Sequence, residues 1–276
     1  QKGSRNPKVN TWNDKTSNYT LDNTLNYNKT FGKHRIDATA LFSIFEQYDE
    51  YMQIQVEDLA YRSLWHNTGS GATIKAYNTD LIESSLASYM GRVNYTFNDK
   101  YLLTVTGRYD GASQLATDNK WAFFPSAALG WRLSEESFIE DLDVFSSLKL
   151  RVSYGEVGNN ASISPYATQS NIYQTVYDFD GSAANGYSIN SLSNRGLVWE
   201  RSREVNFGLD FALKNIGIRG SIEIYKRNTE DLILDDKMPS STGFGSAISN
   251  VGEIQNSGVE ITLNTVNVSK GDFKWS

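Results

Sequence analysis

The sequence predicts an all-β chain, an antiparallel up-and-down transmembrane β-barrel with long extracellular loops, represented by nine to ten strands of a larger closed sheet. Three observations carry this. Apolar residues recur at every second position in segment after segment. The connections between segments alternate between short and long. Aromatic residues flank aliphatic ones on the alternating face.

The first strand spans Tyr19 to Tyr27, where Tyr, Leu, Asn, Leu and Tyr hold the odd positions. After the KTFGKH turn a second runs from Ile36 to Phe45, and a polar stretch from Gln47 to Glu83 reads as a long loop. A hairpin over Ser88–Asp110 follows, with Tyr89, Gly91, Val93, Tyr95, Phe97, Tyr101, Leu103, Val105, Gly107 and Tyr109 on one face. Keeping that face continuous requires an odd loop, so Asn98, Asp99 and Lys100 form a three-residue turn pairing Tyr95 with Leu103 and Val93 with Val105. Strand five covers Phe123–Leu133, and SEESFIEDLDVFSS reads as a helical turn with Ser134 and Ser137 as caps. Leu148, Leu150, Val152 and Tyr154 mark strand six, and a long connection leads to Leu197. Two strands around a KN turn, centred on Phe207 and Ile222, precede another long stretch to Asn250. A ninth strand holds Val259, Ile261 and Leu263, and NVSKGD turns the chain into a tenth.

A barrel in a membrane puts its short turns on the periplasmic side and its long loops outside. A soluble sandwich has no reason to sort loop length by parity. On the Ser88–Asp110 hairpin Tyr89, Phe97, Tyr101 and Tyr109 end the apolar face, with Val93, Leu103 and Val105 between them. Tyr89 to Phe97 spans about 26 Å, which a tilt of roughly 40° reduces to about 20 Å, near the apolar band of such barrels. The opposite face carries Arg92, Asn94, Thr96 and Arg108, suited to water. The alternative is a soluble or surface-attached β-sandwich that binds glycans without transport, which would bury Val93 and Val105 in a core.

Composition agrees. The 276 residues contain no Cys, 16 Tyr and a net charge of −6 with acids and bases interspersed, which excludes thiolate metal sites and argues against nucleic acid. No run of 18 apolar residues offers a transmembrane helix. QKGSRNPKVNTWNDK has no initiator Met or apolar leader, and GDFKWS stops as an alternating segment starts, so the chain reads as an internal piece.

No catalytic constellation stands out, and no cofactor or metal is called for. His34, in a short turn, reads as a surface residue, and His66 beside Trp65 as a possible loop contact. Glu135-Glu136 and Asp235-Asp236 read as solvated loop charges, while DFDGS at Asp178–Ser182 resembles a calcium loop without the remaining ligand spacing. Binding is the better prospect. The long connections hold Trp65, Tyr77, Trp121, Tyr173, Tyr177 and Tyr187, with Tyr166, among Asn, Ser, Gly and Asp. Such rings stack on sugars while neighbouring amides bond hydroxyls, although for any single ring, and above all for Trp121 and Tyr166, packing of the loops against one another or a partner is the commoner role.

Several stretches resemble the SusC/RagA family of TonB-dependent outer-membrane transporters: GRVNYTFNDKYLLTVTGRYDGAS, NKWAFFPSAALGWRLSEESFI, LKLRVSYGEVGNNASISPYA, LVWERSREVNFGLDFAL, SIEIYKRNTEDLIL and MPSSTGFGSAISNVGEIQNSGVEITLN, in that order. The likeness runs from Tyr19 to Ser276. One departure is Gln114-Leu115, where the family often has Arg-Phe in an outward loop. The resemblance implies that residues 1–276 are part of a barrel of about 22 strands closed around a plug, with plug and closing strands outside this chain. It further implies a non-enzymatic importer in the cell outer membrane of a Gram-negative cell. Its ligands would be oligosaccharides or, as a second class, peptides. A SusD-like surface lipoprotein would form the lid, and TonB would act through the plug.

Overall fold

The computed structural model describes residues 7–189, 191–270 and 273–275. Its main element is a nine-stranded sheet in which each strand pairs with the next in chain order, passing over two inserted hairpins. The sheet strands are β1 (Lys8–Phe31), β2 (His34–Leu59), β3 (Gly71–Phe97), β4 (Tyr101–Ala112), β5 (Trp121–Arg132) and β6 (Phe145–Asn159). The β7 (Ile172–Phe179) and β8 (Ser182–Ile189) hairpin intervenes before β9 (Glu200–Leu213) and β10 (Ile218–Glu230). A second hairpin, β11 (Ile233–Lys237) with β12 (Ser246–Asn250), precedes β13 (Ile254–Thr265), and β14 (Val268–Lys270) pairs with β15 (Phe273–Trp275).

Register sorts the side chains into rows. Leu103, Leu129, Val152, Phe207, Ile224 and Val259 lie opposite one another across six strands, and Trp131, Leu150, Leu209, Ile222 and Ile261 continue from Tyr101 two residues away. The row between them reads Leu102, Gly130, Arg151, Gly208, Glu223 and Glu260. One face is therefore an aliphatic band and the other largely polar, because successive side chains leave a strand on opposite sides. Val93 and Val105 are 46% and 48% exposed. A sandwich core would have buried them, so that alternative finds no support here.

The NDK turn has the expected length. Asn98 and Asp99 take φ of 52° and 54°, and the Lys100 N–H donates to the Phe97 carbonyl at 3.0 Å. Cross-strand bonds from Thr104 to Asn94 (2.9 Å) and from Arg92 to Thr106 (3.2 Å) agree with the expected register of this hairpin. Pro125 sits inside β5 opposite Gly107 of β4, one residue before the β5–β6 ladder begins at Ser126.

Four expectations need correction. The stretch 47–83 is mostly strand: β2 continues to Leu59 and β3 starts at Gly71, leaving a connection with two 3₁₀ turns. Met52, Ile54 and Val56 do alternate there, but the many polar residues around them make the stretch read as a loop. The connections 155–197 and 227–250 each fold into a hairpin of their own. Ser134 and Ser137 do not cap: the 3₁₀ turn Leu133–Glu135 and the short helix α1 (Ser137–Glu140) begin at Arg132 and Glu136, without a side-chain cap bond. His34 is no bland surface group. Its Nδ1 lies 2.6 Å from the Tyr95 hydroxyl, and its ring packs against Phe31 and Phe97 at 5.2 and 4.9 Å.

The chain divides into two compact units. Within the unit formed by residues up to Leu21 and Ile44–Leu86, polar pairs join the strands: Thr16 to Asp49 at 2.6 Å, Lys15 to Glu50 at 2.9 Å, and Glu57 with Lys8 and Lys75. The hydrogen bond from Lys8 is the main cause holding the Glu57 carboxyl below its ordinary value. The other unit, Asp22–Ser43 with Ala87–Ser276, contains the aliphatic band and the loops treated next.

Candidate functional site

The long connections after β4, β6 and β10 meet around a small core. Trp199 and Phe124 contact edge to face at 5.6 Å, and the Trp199 indole N–H donates to the Lys120 carbonyl at 3.0 Å. The Arg201 guanidinium covers the other part of the Phe124 ring at 5.4 Å while bonding Glu156 at 2.7 Å. Gly158 is required here, since a Cβ would sit 2.1 Å from the Phe124 ring. Leu115, Ile163 and Leu197, from the same connections, are buried. Asn250 pairs its amide with both backbone groups of Val198, at 2.9 and 3.0 Å, and donates to the Asp231 carbonyl.

These are the residues of the NKWAFFPS, GNN and LVWER stretches, and their role is to pack and fasten loops. The departure at Gln114-Leu115 is absorbed by this packing: Leu115 is buried and Gln114 accepts a bond from Asn160 at 3.4 Å.

The structure separates the six candidate aromatics. Trp65 is exposed against the His66 ring. Tyr77 belongs to β3, not to a loop, and is exposed. Trp121 opens β5 and stacks on Tyr109 at 4.9 Å, with Tyr89 at 6.0 Å. That makes it part of an aromatic girdle at the long-loop end of the aliphatic band. Tyr173 and Tyr177 share one face of the β7–β8 hairpin, and Tyr187 takes the other. DFDGS is the turn of that hairpin: Asp180 and Gly181 take φ of 53° and 78°, the signature of a two-residue hairpin turn. Among the described residues no group of three His, Cys, Asp or Glu could hold a metal.

Of the six, Tyr173 lines a groove of about 500 Å³ between the base of the β7–β8 hairpin and the β11–β12 hairpin. Asn171, Ser191, Asp235, Phe244 and Ile248 line it too, and Gly243, at φ 81°, turns the chain beside Phe244. A ring on either side, a carboxylate and short polar groups can stack on and hydrogen-bond a hydroxyl-rich ligand. Sequence reading missed Asp235 and Phe244 as a pair with Tyr173. They are over 60 positions apart, and no motif joins them.

On the polar face of the sheet, Arg151 forms a two-point pair with Asp210 (2.8 Å to each oxygen) and reaches Glu223 at 2.9 Å. Asn206 bonds the second Glu223 oxygen at 3.2 Å. This network sits among β6, β9 and β10 and makes that face hydrophilic.

Residues 2–276 match the protein-family model described as TonB dependent receptor-like, beta-barrel. The chain is 36% identical over 269 residues to TonB-dependent receptor P3 of Formosa agariphila, covering 95% of this chain and 26% of that protein. It is 38% identical over 198 residues to TonB-dependent receptor SusC of Bacteroides thetaiotaomicron, covering 70% of this chain and 20% of that one. Among solved structures, that of the RagAB peptide transporter superposes with a TM-score of 0.83 at 27% identity, over 94% of this chain and 28% of the other. The chain thus spans about a quarter of the length of the relatives it matches.

Proposed function

The chain belongs to the TonB-dependent receptor-like β-barrel family, whose barrels lie in the outer membrane, and from that premise we propose that it is a barrel segment of a SusC/RagA-type importer. The observation that carries this is the two-faced sheet: an exposed aliphatic band on one side, and the Arg151–Asp210–Glu223 network on the other. A band of that kind suits lipid, and a charged opposite face suits a watery lumen. The work is ligand passage, not catalysis. TonB would act through a plug, and a SusD-like surface lipoprotein would close over the loops.

The cargo we propose is an oligosaccharide. The groove beside Tyr173 supports this, since it pairs rings with a carboxylate and short polar groups. A peptide is the competing cargo, as in the RagAB transporter. The test is a titration of the full-length protein with neutral oligosaccharides and with peptides, before and after Tyr173→Ala and Phe244→Ala. Each substitution is expected to weaken sugar binding by about 2- to 10-fold. Binding of peptides with no response to sugars would overturn the oligosaccharide assignment.

A further inference from the structure

Glycine inside a strand costs stability and commonly marks a place where something approaches closely. Gly91 and Gly107 lie in β3 and β4, and the Asn94–Thr104 and Arg92–Thr106 bonds put them opposite each other. Both belong to the face that carries Val93 and Val105. A Cβ at Gly91 would meet nothing within 4 Å, and one at Gly107 would touch only the edge of the Phe123 ring at 3.0 Å. Nothing within the protein therefore demands a glycine at Gly91. The Phe42–Tyr89 contact at 5.0 Å places Ala40 next in the same row on β2, and Pro125 is paired with Gly107 on β5. The result is a groove of about 770 Å³ in the lipid-facing surface, lined mainly by apolar groups. Phe42, Tyr89, Tyr109 and Phe123 wall its long-loop side. From Leu25 on β1, where Asp22, Asn23 and Thr24 add polar groups to the lining, to Phe123 on β5 it crosses five strands, about 19 Å.

We propose that this groove holds an acyl chain of an outer-leaflet glycolipid, of the lipopolysaccharide type, in a defined seat. An apolar trough open to the bilayer takes a hydrocarbon chain, and its continuity with the aliphatic band makes lipid the occupant. Its leaflet follows from the topology: Tyr89, Tyr109 and Phe123 lie toward the long connections, which in such barrels face outside. The glycines are the space the chain occupies, and the rings are the wall that fixes its course.

The test uses the full-length protein reconstituted with lipopolysaccharide carrying a photoreactive acyl chain, with adducts mapped by mass spectrometry. Labelling at Tyr89, Tyr109 and Phe123 is expected to exceed that at Leu129, which is exposed on the same band, by about tenfold. Gly91→Leu should abolish the excess while the barrel still migrates as a folded, heat-modifiable species. Gly91→Ala, which adds a single carbon, should reduce it in part and serves if the leucine variant fails to assemble. Equal labelling at the groove and Leu129 would mean bulk lipid contact and overturn the proposal. So would an excess that survives Gly91→Leu, or stronger labelling by a photoreactive phospholipid.

Discussion

The two ends of the sheet are held in different ways. At the short-turn end each turn is tied to its neighbour: Asn98 N–H to the Lys33 carbonyl (2.7 Å), Arg132 N–H to Lys100 (2.9 Å), and Lys214 N–H to Val144 (2.9 Å). Glu136 gathers this end further, accepting bonds from Lys100, Tyr101 and Trp131 at 3.1, 2.9 and 3.1 Å. At the long-loop end the partners come from separate connections, as when Trp199 reaches Lys120 and Asn250 fastens Val198. The first end depends on adjacent hairpins being in register. The second depends on one shared core. Damage should therefore spread differently in each.

Trp199→Ala should have the largest effect. Removing a buried indole costs about 3–5 kcal/mol, and it would also remove one of the two bonds to the Lys120 carbonyl and the edge-to-face contact with Phe124. Limited proteolysis of the full-length barrel should show rapid cutting in the connections 112–120 and 160–199, with the strands still protected. If cutting does not change, the loops do not depend on this core. Val105→Arg comes next, at about 2–4 kcal/mol for a cation deep in the band and less nearer the interface. The readout is outer-membrane level and urea resistance. Asn94→Asp on the polar face should leave both unchanged, and equal damage from the two would reject the face assignment.

Glu136→Gln should have the smallest effect, and it depends on pH. Hydrogen bonds from Trp131, Lys100 and Tyr101, in that order, hold the Glu136 carboxyl below its ordinary value. Because the folded value is depressed, this stabilisation is present above the ordinary carboxylate range and fades as pH falls through the folded value. The variant should unfold slightly earlier than the parent in urea at pH 7, and the gap should close as the pH drops below 4. A gap that persists in acid would mean that the glutamate acts through something other than its charge.

How legible each region was follows from the same contrast. The rows through Leu103 and Tyr101 and the NDK turn could be read in advance, because a pleated strand repeats every two residues and a tight turn is made by its own few residues. The sorting of loop lengths holds only in part, since the connection between β5 and β6 is longer than the one between β4 and β5. The outer parts of β2 and β3 escaped because the short alternation of Met52, Ile54 and Val56 is outweighed by polar neighbours such as Asp49, Glu50 and Glu57, whose partners Thr16, Lys15 and Lys8 lie on β1, far away in the chain. DFDGS has some of the residues of a calcium loop without its ligand spacing, and its positive φ at Asp180 and Gly181 makes it the turn of the β7–β8 hairpin.

The alternating pattern alone determined the central parts of the main-sheet strands and their two faces, since local backbone geometry forces those outcomes. Tertiary structure alone decided what the connections do. It brings Tyr173 to Asp235 and Phe244, moves Trp121 from a candidate ligand platform to the girdle, and turns Gly91 and Gly107 into the floor of a groove. Contacts between residues far apart in the chain follow no sequence period, so they exist only once the strands have set the positions from which loops and side chains meet.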